Sequence, residues 1–243
     1  LHNNLPVPTS LVFPGQEGVL ANGAPSAAQF DGTGKLTSLA QTADPGGMIS
    51  YSFVAARPGT FLYQSGTNPG VQVQMGLHGA LVVRPAMGAN FAYNDAETEF
   101  DPADEYLMLL GEVDPLLHQA IERGETFDMR NYKARYFLIN GRTFPDTLAP
   151  NFASWLPTQP YGSLAHIYPY DPVNNPLPAL SRYLGAGMEL YPFHPHAFNS
   201  RIIGRDGFPV KGPAGENLWE EKFSLPIGPV QTSDALWSWR DTE

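Results

Sequence analysis

Two histidines separated by one residue are the side chains of this sequence whose type and spacing point most directly to chemistry. His194 and His196 flank Pro195 in the string YPFHPHAF. In an extended strand, residues two apart lie on one face, roughly 6.5 Å apart. Both imidazoles can therefore bind one metal ion or two adjacent ions. Imidazole suits copper, zinc, iron and nickel, and the affinity order of the divalent ions favours copper.

A structural role is the alternative interpretation of the same pair. Two histidines do not complete a metal site, because at least one further protein ligand is normally required. In the structural interpretation, His194 packs beneath the strand and His196 is solvated or bonded to the backbone. Pro195 cannot donate to a β-ladder, which places the pair at a sheet edge, a bulge or an irregular crossing. The residues alone leave both interpretations open.

The other ligand types are scarce. Four further histidines have no partner at ligand spacing: His2, His78, His118 and His166. We expect His78 to be packed or exposed at the start of a strand and His118 to lie on a helix. Cysteine is absent, so the chain cannot build a blue type 1 copper centre, which needs a thiolate beside two imidazoles.

Charge and hydropathy exclude two classes of partner. The formal net charge is -10, which disfavours a phosphate backbone or an anionic membrane surface as the main partner. No apolar run approaches the roughly 20 residues of a spanning helix. We therefore expect no nucleic-acid partner and no membrane span.

Many short strands must position these histidines. The 243 residues include 24 glycines and 24 prolines, and only 16% are charged, a composition that favours an all-β protein of two ordinary domains. Residues 49–84 are expected to form consecutive antiparallel strands broken at two Pro-Gly turns. One of these strands is predicted from the alternation of Val71, Val73 and Met75 with Gln72 and Gln74.

The second half of the sequence contains clearer signals for helix ends and turns. Asp114 can cap a short helix that begins at Pro115 and ends at Gly124. Asn140-Gly141 and Asp206-Gly207 are typical of tight turns between strands. The stretch 144–178 has no sustained period and is expected to be an ordered, irregular connection. A last strand is predicted to turn three side chains toward a core: Leu236, Trp237 and Trp239.

An acidic segment lies between the two halves. Residues 89–105 contain six carboxylates and little apolar content, which is typical of a solvated interdomain linker. A calcium site is the alternative. The carboxylate spacing does not fit an EF-hand loop and no central glycine is present, so the linker is favoured.

Three separated strings resemble the copper motifs of the multicopper oxidases. TSLVFPG, at residues 9–15, follows a T-S-x-H-W-H-G pattern in which Val12 and Pro14 replace two copper histidines. PGTFLYQSG, at residues 58–66, is followed by GLHGALVV and matches P-G-T-Y-W-Y-H-S-H. In that string Gln64 and Gly66 replace the two histidines.

The third string retains ligands. YPFHPHAF resembles H-P-F-H-L-H-G-H, in which His194 and His196 match two trinuclear-cluster ligands. Tyr191 stands where the histidine of the mononuclear blue site is expected, and Ala197-Phe198 replaces the final Gly-His.

The resemblance implies two tandem cupredoxin-like Greek-key sandwiches, with one short helix in the second. Domain 1 is expected at residues 1–88 without its N-terminal strands, the linker at 89–105, and domain 2 at 106–243 with its C-terminal end cut short. A further downstream domain is implied.

The functional implication is a copper-binding oxidoreductase located outside the cell or in the periplasm. His194 and His196 would contribute to a copper site that a further cupredoxin domain or another subunit of a homo-oligomer completes. We expect no oxidase activity from the isolated chain. The alternative is a copper-free, degenerate cupredoxin module with a structural, assembly or binding role.

Overall fold

Short strands dominate the computed structural model, which describes residues 1–196 and 198–240. The strands are β1 (Leu11–Val12), β2 (Leu20–Ala21), β3 (Ala24–Pro25), β4 (Gln29–Phe30), β5 (Leu36–Ser38), β6 (Tyr51–Ser52), β7 (Gly59–Ser65), β8 (His78–Val83), β9 (Glu105–Val113), β10 (Tyr136–Ile139), β11 (Ala179–Gly185), β12 (Tyr191–Phe193), β13 (Ser200–Arg205), β14 (Phe208–Pro209), β15 (Glu220–Lys222), β16 (Leu225–Ile227) and β17 (Thr232–Trp237). The α-helices of the described residues are α1 (Pro69–Gln72) and α2 (Pro115–Glu122). Short 3₁₀ turns occur at Ala96–Thr98, Pro102–Asp104, Met129–Asn131 and Asp146–Leu148. The predicted all-β class is confirmed.

The chain divides into two compact units, each made of several segments. The first unit comprises Leu1–Ala56, Leu62–Leu81 and Asp114–Lys133. The second comprises Arg57–Phe61, Val82–Val113 and Ala134–Glu243. The domain bounds predicted at residues 88 and 106 stay a prediction.

Small sheets and an aromatic group make up the first unit. Two of its sheets have the orders β3-β2-β6 and β4-β5, and β1 and most of β7 and β8 form a third with the order β1-β7-β8. Ala21, Ala43 and Ile49 form a small buried cluster. Separately, the ring of Phe13 lies 5.7 Å from that of Tyr51 and 4.9 Å from that of Phe53, a range in which aromatic pairs attract.

The strand predicted at residues 71–75 is wrong, because α1 and the turn after it occupy this stretch. Asn68 has a φ of 44° and Pro69 stands at the first helical position, where its missing N–H costs nothing. Gln72 is buried, and its side-chain oxygen accepts from the hydroxyls of Thr9 and Ser65 at 2.8 and 2.6 Å. The alternation of apolar and polar residues therefore did not mark a solvent face.

A larger sheet organises the second unit. Its order is β10-β9-β11-β17-β13-β14, and β15 also pairs with β13. The pairing of β9 with β11 is parallel, whereas β11 and β17 are antiparallel with Ala179 opposite Trp237. A separate two-stranded sheet joins β12 and β16. Every residue of β11 is buried, as expected for a central strand covered on both faces.

Both faces of β17 are buried, and this places its two large hydrophobic residues in different cores. Trp237 packs with Tyr183, Met108 and other side chains on one side. Leu236 packs with Phe100 and its neighbours on the other. The predicted inward orientation of Leu236 and Trp237 is confirmed, whereas Trp239 lies beyond the strand and is 39% exposed.

The acidic segment is packed rather than solvated. Ala92, Tyr93 and Phe100 are buried and belong to the same core as Leu236. The carboxylates of Asp95 and Asp101 accept the backbone N–H groups of Glu97 and Ala103, so they cap 3₁₀ turns. The few apolar residues of this segment are spaced to reach the sheet, a relation that composition alone does not reveal.

The predicted helix and turns are present. α2 begins with the Asp114 carboxylate accepting from the Leu116 N–H at 2.9 Å. Asn140 and Gly141 have φ values of 54° and 78°, and Asp206-Gly207 has 52° and 76°, the left-handed geometry that two-residue hairpin turns require. α2 lies in the first compact unit. Among the described residues, no helix is long and apolar enough to cross a bilayer.

Candidate metal-binding histidine pair

His194 and His196 lie directly after strand β12 in the second unit. β12 pairs with β16 so that Phe193 stands opposite Leu225, and His194 is the first residue past the end of that ladder. Both histidines are exposed, while Pro195 between them is buried. The irregular segment expected from the proline is present, and the buried ring anchors the backbone between the two imidazoles.

The two imidazole rings are neighbours. Their centroids are 5.1 Å apart and their planes are inclined by 46°. With nitrogens at about 2.0 Å from a metal ion, two imidazoles in one coordination sphere have centroids about 4.5–5 Å apart. The observed separation of 5.1 Å is close to this range, so the ring spacing is compatible with a shared ion.

A backbone carbonyl orients His194. Its Nδ1–H donates to the carbonyl oxygen of Phe223, and the Phe223 ring meets the imidazole edge-on at 5.9 Å. A carbonyl oxygen only accepts, so the proton of the neutral imidazole is held at Nδ1 and the lone pair lies at Nε2. In metal-ligating histidines, the ring nitrogen that does not bind the metal usually donates its N–H to a carbonyl, a carboxylate or water.

His196 borders an aromatic pocket of about 250 Å³. The remaining lining residues come from the irregular connection, the segment after His196 and the end of β17: Ala165, Ile167, Phe198, Trp237, Ser238 and Trp239. This lining contains neither carboxylate nor a second imidazole. The pocket therefore provides apolar contacts but no further metal-ligating side chain among these residues.

No group of three or more histidine, cysteine or carboxylate side chains is arranged to hold a metal within residues 1–196 and 198–240. His194 and His196 are thus a donor pair of the type that suits Cu(II), but they fill only part of a coordination sphere. The calcium site considered for the acidic segment has no such group either.

Side-chain packing occupies the positions where the first-unit motifs would place histidines. Val12 and Gln64 face each other across the pairing of β1 with β7. A Cβ atom built on Gly66 would approach Val12 Cγ1 to 2.8 Å and Ser10 Oγ to 3.0 Å. Neighbouring side chains therefore lie close to the position that a side chain at residue 66 would occupy.

Hydroxyl groups fill the space beside Gly66. The hydroxyls of Ser10, Ser38 and Thr67 form a triangle with oxygen separations of 2.8–2.9 Å. Because each hydroxyl can donate once and accept twice, the triangle satisfies its own members. Sequence analysis did not identify this cluster.

The other histidines do not join the pair. His78 stands at the start of β8 with Nδ1 at 3.1 Å from the Val73 carbonyl oxygen, as expected for a residue packed at a strand start. His118 lies on α2, as predicted. His2 and His166 are exposed.

Tyr191 and Glu112 meet at Gly187, a contact that the sequence did not suggest. A Cβ on Gly187 would fall 2.4 Å from the Tyr191 hydroxyl and 1.8 Å from a Glu112 carboxylate oxygen, so only glycine fits there. The other carboxylate oxygen accepts from the Met188 N–H at 2.7 Å. Tyr191, which stands where a blue-site histidine would be, therefore lies beside an acid and not beside a thiolate.

Sequence analysis also missed a buried ionic network at the centre of the large sheet. The Arg182 guanidinium contacts Glu105 at 2.6 Å and Asp234 at 3.4 Å, and Tyr93 donates to Asp234 at 2.6 Å. Burial, followed by the Asp234 charge, raises the pKa of Tyr93 well above its usual value. Burial also acts to raise the pKa of Glu105, but the hydrogen bond from Arg84 and the charge of Arg182 outweigh it, so that pKa is lowered.

Comparison with known proteins identifies the fold. No protein-family model matches the sequence, and no curated protein matches it. Among solved structures, the blue copper oxidase from Nitrosomonas europaea superposes with a TM-score of 0.67 at 19% identity, over 100% of this chain and 62% of that one. A laccase from Botrytis aclada gives 0.62 at 16% identity, over 99% and 39%. The copper nitrite reductase from Nitrosomonas europaea gives 0.57 at 20% identity, over 97% and 66%.

The fold is therefore cupredoxin-like and similar to that of multicopper oxidases and laccases. The chain spans 62% of the length of the Nitrosomonas blue copper oxidase. The resemblance expected from the three sequence strings is confirmed at the level of fold.

Proposed function

We propose that this chain is a copper-binding protein in which His194 and His196 supply two imidazoles to a site completed by another domain or subunit. The observation that carries the proposal is the placement of two exposed imidazoles 5.1 Å apart. One of them is oriented by the Phe223 carbonyl so that its Nε2 lone pair is available. Bound copper would supply one-electron redox chemistry at this place.

The role of the chain's own residues is to bind and orient. The buried Pro195 and the pairing of β12 with β16 hold the backbone on either side of His194. Ordering a ligand before the metal arrives reduces the entropy lost on binding. We also propose that the protein acts outside the cell or in the periplasm, a location that its resemblance to multicopper oxidases supports.

A copper-free module is the second candidate, and one observation favours it. The first-unit positions that correspond to copper ligands are filled by Val12, Gln64 and the hydroxyl cluster around Gly66. A protein that has replaced these ligands with packed side chains can be kept for assembly or binding alone, because a fold hosts many functions.

Copper titration distinguishes the two candidates. Cu(II) affinity of the whole chain is measured by competition with a chelator, for wild type and for His194→Ala and His196→Ala. Loss of one of two ligands is expected to weaken binding at least about tenfold. His166→Ala is the matched control, because His166 is exposed and lies between two residues of the pocket beside His196.

The copper stoichiometry and its response to the three substitutions decide between the two candidate functions. Stoichiometric binding that His194→Ala and His196→Ala weaken and His166→Ala does not would support the copper site. Equal, substoichiometric copper in all four proteins would exclude it and leave the copper-free module. Far-ultraviolet circular dichroism checks that each variant is folded.

A further inference from the structure

A cavity of about 600 Å³ lies beside the end of β17. The lining residues that the structure describes all belong to the second unit. Leu177, Phe198 and Leu236 form part of an apolar wall. Small-molecule sites usually have volumes of roughly 300–1,000 Å³, so this cavity is large enough for a small organic ligand.

Charged side chains of both signs line this cavity. Glu97 and Glu99 come from the acidic segment, whereas Arg201 lies on β13 and Arg240 follows the end of β17. Glu221 also lines the cavity, and its Oε1 is 3.2 Å from Nη2 of Arg201. A lining that contains both carboxylates and guanidinium groups is complementary to a ligand that carries charges of both signs.

The carboxylates and the guanidinium groups belong to different layers of the second unit. The acidic segment covers one face of the large sheet, because Phe100 packs with Leu236 and the Asp101 N–H donates to the Pro178 carbonyl at 3.0 Å. Arg201 stands opposite Leu236 in the pairing of β13 with β17, and opposite residues of an antiparallel pair share one face. Arg201 therefore projects from the sheet, whereas Glu97 and Glu99 belong to the layer above it.

Neighbouring side chains orient two of these charged groups. The Asn90 amide donates to Glu99 Oε1 at 2.9 Å. The guanidinium carbon of Arg240 lies 4.2 Å from the centroid of the Tyr170 ring, and stacking on a ring is compatible with donation from the N–H groups in the guanidinium plane. A carboxylate has about four acceptor sites and a guanidinium has five donors, so both groups can bind a ligand in addition to these contacts.

We propose that this cavity binds a zwitterionic ligand with an apolar side chain, the chemistry of a free apolar amino acid or a short peptide. The ammonium group of the ligand contacts Glu99, its carboxylate contacts Arg240, and its side chain packs against Phe198 and Leu236. A ligand with only one charge would leave one of these groups without its partner and would therefore bind more weakly. The proposal goes beyond copper binding and does not depend on it.

Isothermal titration calorimetry of the whole chain, with EDTA present, tests the proposal with ligands that differ in charge. L-Phenylalanine carries both charges, phenethylamine lacks the carboxylate and 3-phenylpropanoate lacks the ammonium group. We expect saturable binding of L-phenylalanine that is tighter than the binding of either analogue. Glycyl-L-phenylalanine, in which a peptide unit separates the two charges, shows whether the amino acid or the peptide is the better ligand.

Two substitutions assign the charged contacts. Arg240→Gln should weaken the binding of L-phenylalanine and 3-phenylpropanoate about two- to fivefold, the range of an exposed ion pair, and leave the binding of phenethylamine unchanged. Glu99→Gln should weaken the binding of L-phenylalanine and phenethylamine to a similar extent and leave the binding of 3-phenylpropanoate unchanged. Such ligand-dependent effects isolate one pair of groups at a time.

Arg135→Gln and Glu189→Gln are the matched controls, because both residues are exposed parts of the second unit and neither is among the lining residues described. Absence of saturable L-phenylalanine binding would overturn the proposal. Equal affinity for all three phenyl ligands, or an equal effect of the controls and the two test substitutions, would overturn it as well. Because EDTA keeps metal ions out of the titration, these results leave the copper site untouched, and failure of the copper titration leaves this cavity untouched. Far-ultraviolet circular dichroism checks the fold of each variant.

Discussion

At Gly66 the neighbouring side chains crowd the space that the imidazole expected from the sequence pattern would need. The nearest atoms to a Cβ at this position are Val12 Cγ1, Ser10 Oγ and Leu39 Cβ, at 2.8, 3.0 and 3.3 Å. Leu39 Cβ is fixed to the backbone, and Ser10 Oγ is held by its hydrogen bonds with the Ser38 and Thr67 hydroxyls. The glycine at this position is therefore matched to the packing of its neighbours.

Restoring histidine at this position should destabilise the protein. We predict that Gly66→His lowers the free energy of unfolding by about 1–3 kcal/mol, the usual cost of overpacking, without adding a bound copper. Gly32→His is the matched control, since no atom lies within 4 Å of a Cβ built on Gly32. Urea denaturation of both variants measures the difference. Equal midpoints would show that the packing around Gly66 is not restrictive.

The sequence predicted the histidine pair but not what orients it. The one-residue spacing was enough to place the His194 and His196 rings next to each other, with centroids 5.1 Å apart. The hydrogen bond to the carbonyl of Phe223 joins residues 29 positions apart, and nothing in the string YPFHPHAF encodes it. The same holds for Glu112, whose contact with Tyr191 depends on the approach of Gly187.

At the scale of elements, strand β11 depends on one buried cation. Arg182 on β11 contacts Glu105 at the start of β9 and Asp234 on β17, so its guanidinium links the three central strands of the large sheet. Its side chain is 1% exposed. The charge is tolerable there because two carboxylates and the Thr60 hydroxyl surround it.

Removing the Arg182 cation should strongly destabilise the folded protein. We predict that Arg182→Met lowers the free energy of unfolding by about 3–5 kcal/mol, because Asp234 would be left as a buried charge without its cation and Glu105 would keep only Arg84. Thermal and urea unfolding report the loss.

Arg201 provides the comparison. It pairs with Glu221 at 3.2 Å, with both side chains at least half exposed, and exposed pairs contribute about 0–1 kcal/mol. Arg201→Met should therefore be nearly neutral. A loss of less than about 1 kcal/mol in Arg182→Met would contradict the view that the buried network supports the sheet.

The same network makes stability depend on pH. Burial opposes ionisation of Glu105, but the Arg84 hydrogen bond and the Arg182 charge prevail, and the folded pKa lies below the usual 4.5. A carboxyl with a lowered folded pKa contributes stability that is present above its unfolded pKa and is lost as the pH falls through the folded pKa.

We therefore predict that the stability of the wild-type protein declines as the pH falls below about 4.5. The decline should be smaller in Arg84→Gln, which removes a favourable partner of the carboxylate, bonded at 2.6 Å. Urea midpoints between pH 6 and pH 3 measure the slope for both proteins. Identical slopes would show that Arg84 does not hold the pKa of Glu105 down.

Local sequence signals predicted an element correctly where they were compatible with only one kind of structure. They failed where both a strand and a helix were compatible with them. The Asp114 cap and the Asn140-Gly141 turn are set by backbone conformation, and both were predicted. Residues 71–75 alternate like a strand, but the buried hydrogen bonds of Gln72 favour α1 and the turn after it. The irregular stretch after residue 144 was expected from the sequence. The sequence did not predict that the buried guanidinium of Arg142 stabilises this stretch by donating to the Gln159 and Ala149 carbonyls.

For the whole molecule, the fold resembles that of copper oxidases, whereas the side chains present cannot build a blue copper centre. The chain superposes along its full length on part of a blue copper oxidase, yet it contains no cysteine. The intense colour of a blue centre comes from a copper–thiolate bond. A cupredoxin fold without a thiolate can bind copper through imidazole, but the resulting centre has a different spectrum.

We predict that the copper-loaded chain shows no intense absorption band at about 600 nm and consumes no dioxygen beyond a free-copper control when given a phenolic substrate. Optical spectroscopy and an oxygen electrode measure the two quantities, with His194→Ala as the reference for copper bound elsewhere. The reason lies in the donor set, since His194 and His196 provide nitrogen only and Tyr191 lies against Glu112. An intense band near that wavelength would require a sulfur donor that this sequence does not contain, and would show that the copper is held by a different molecule.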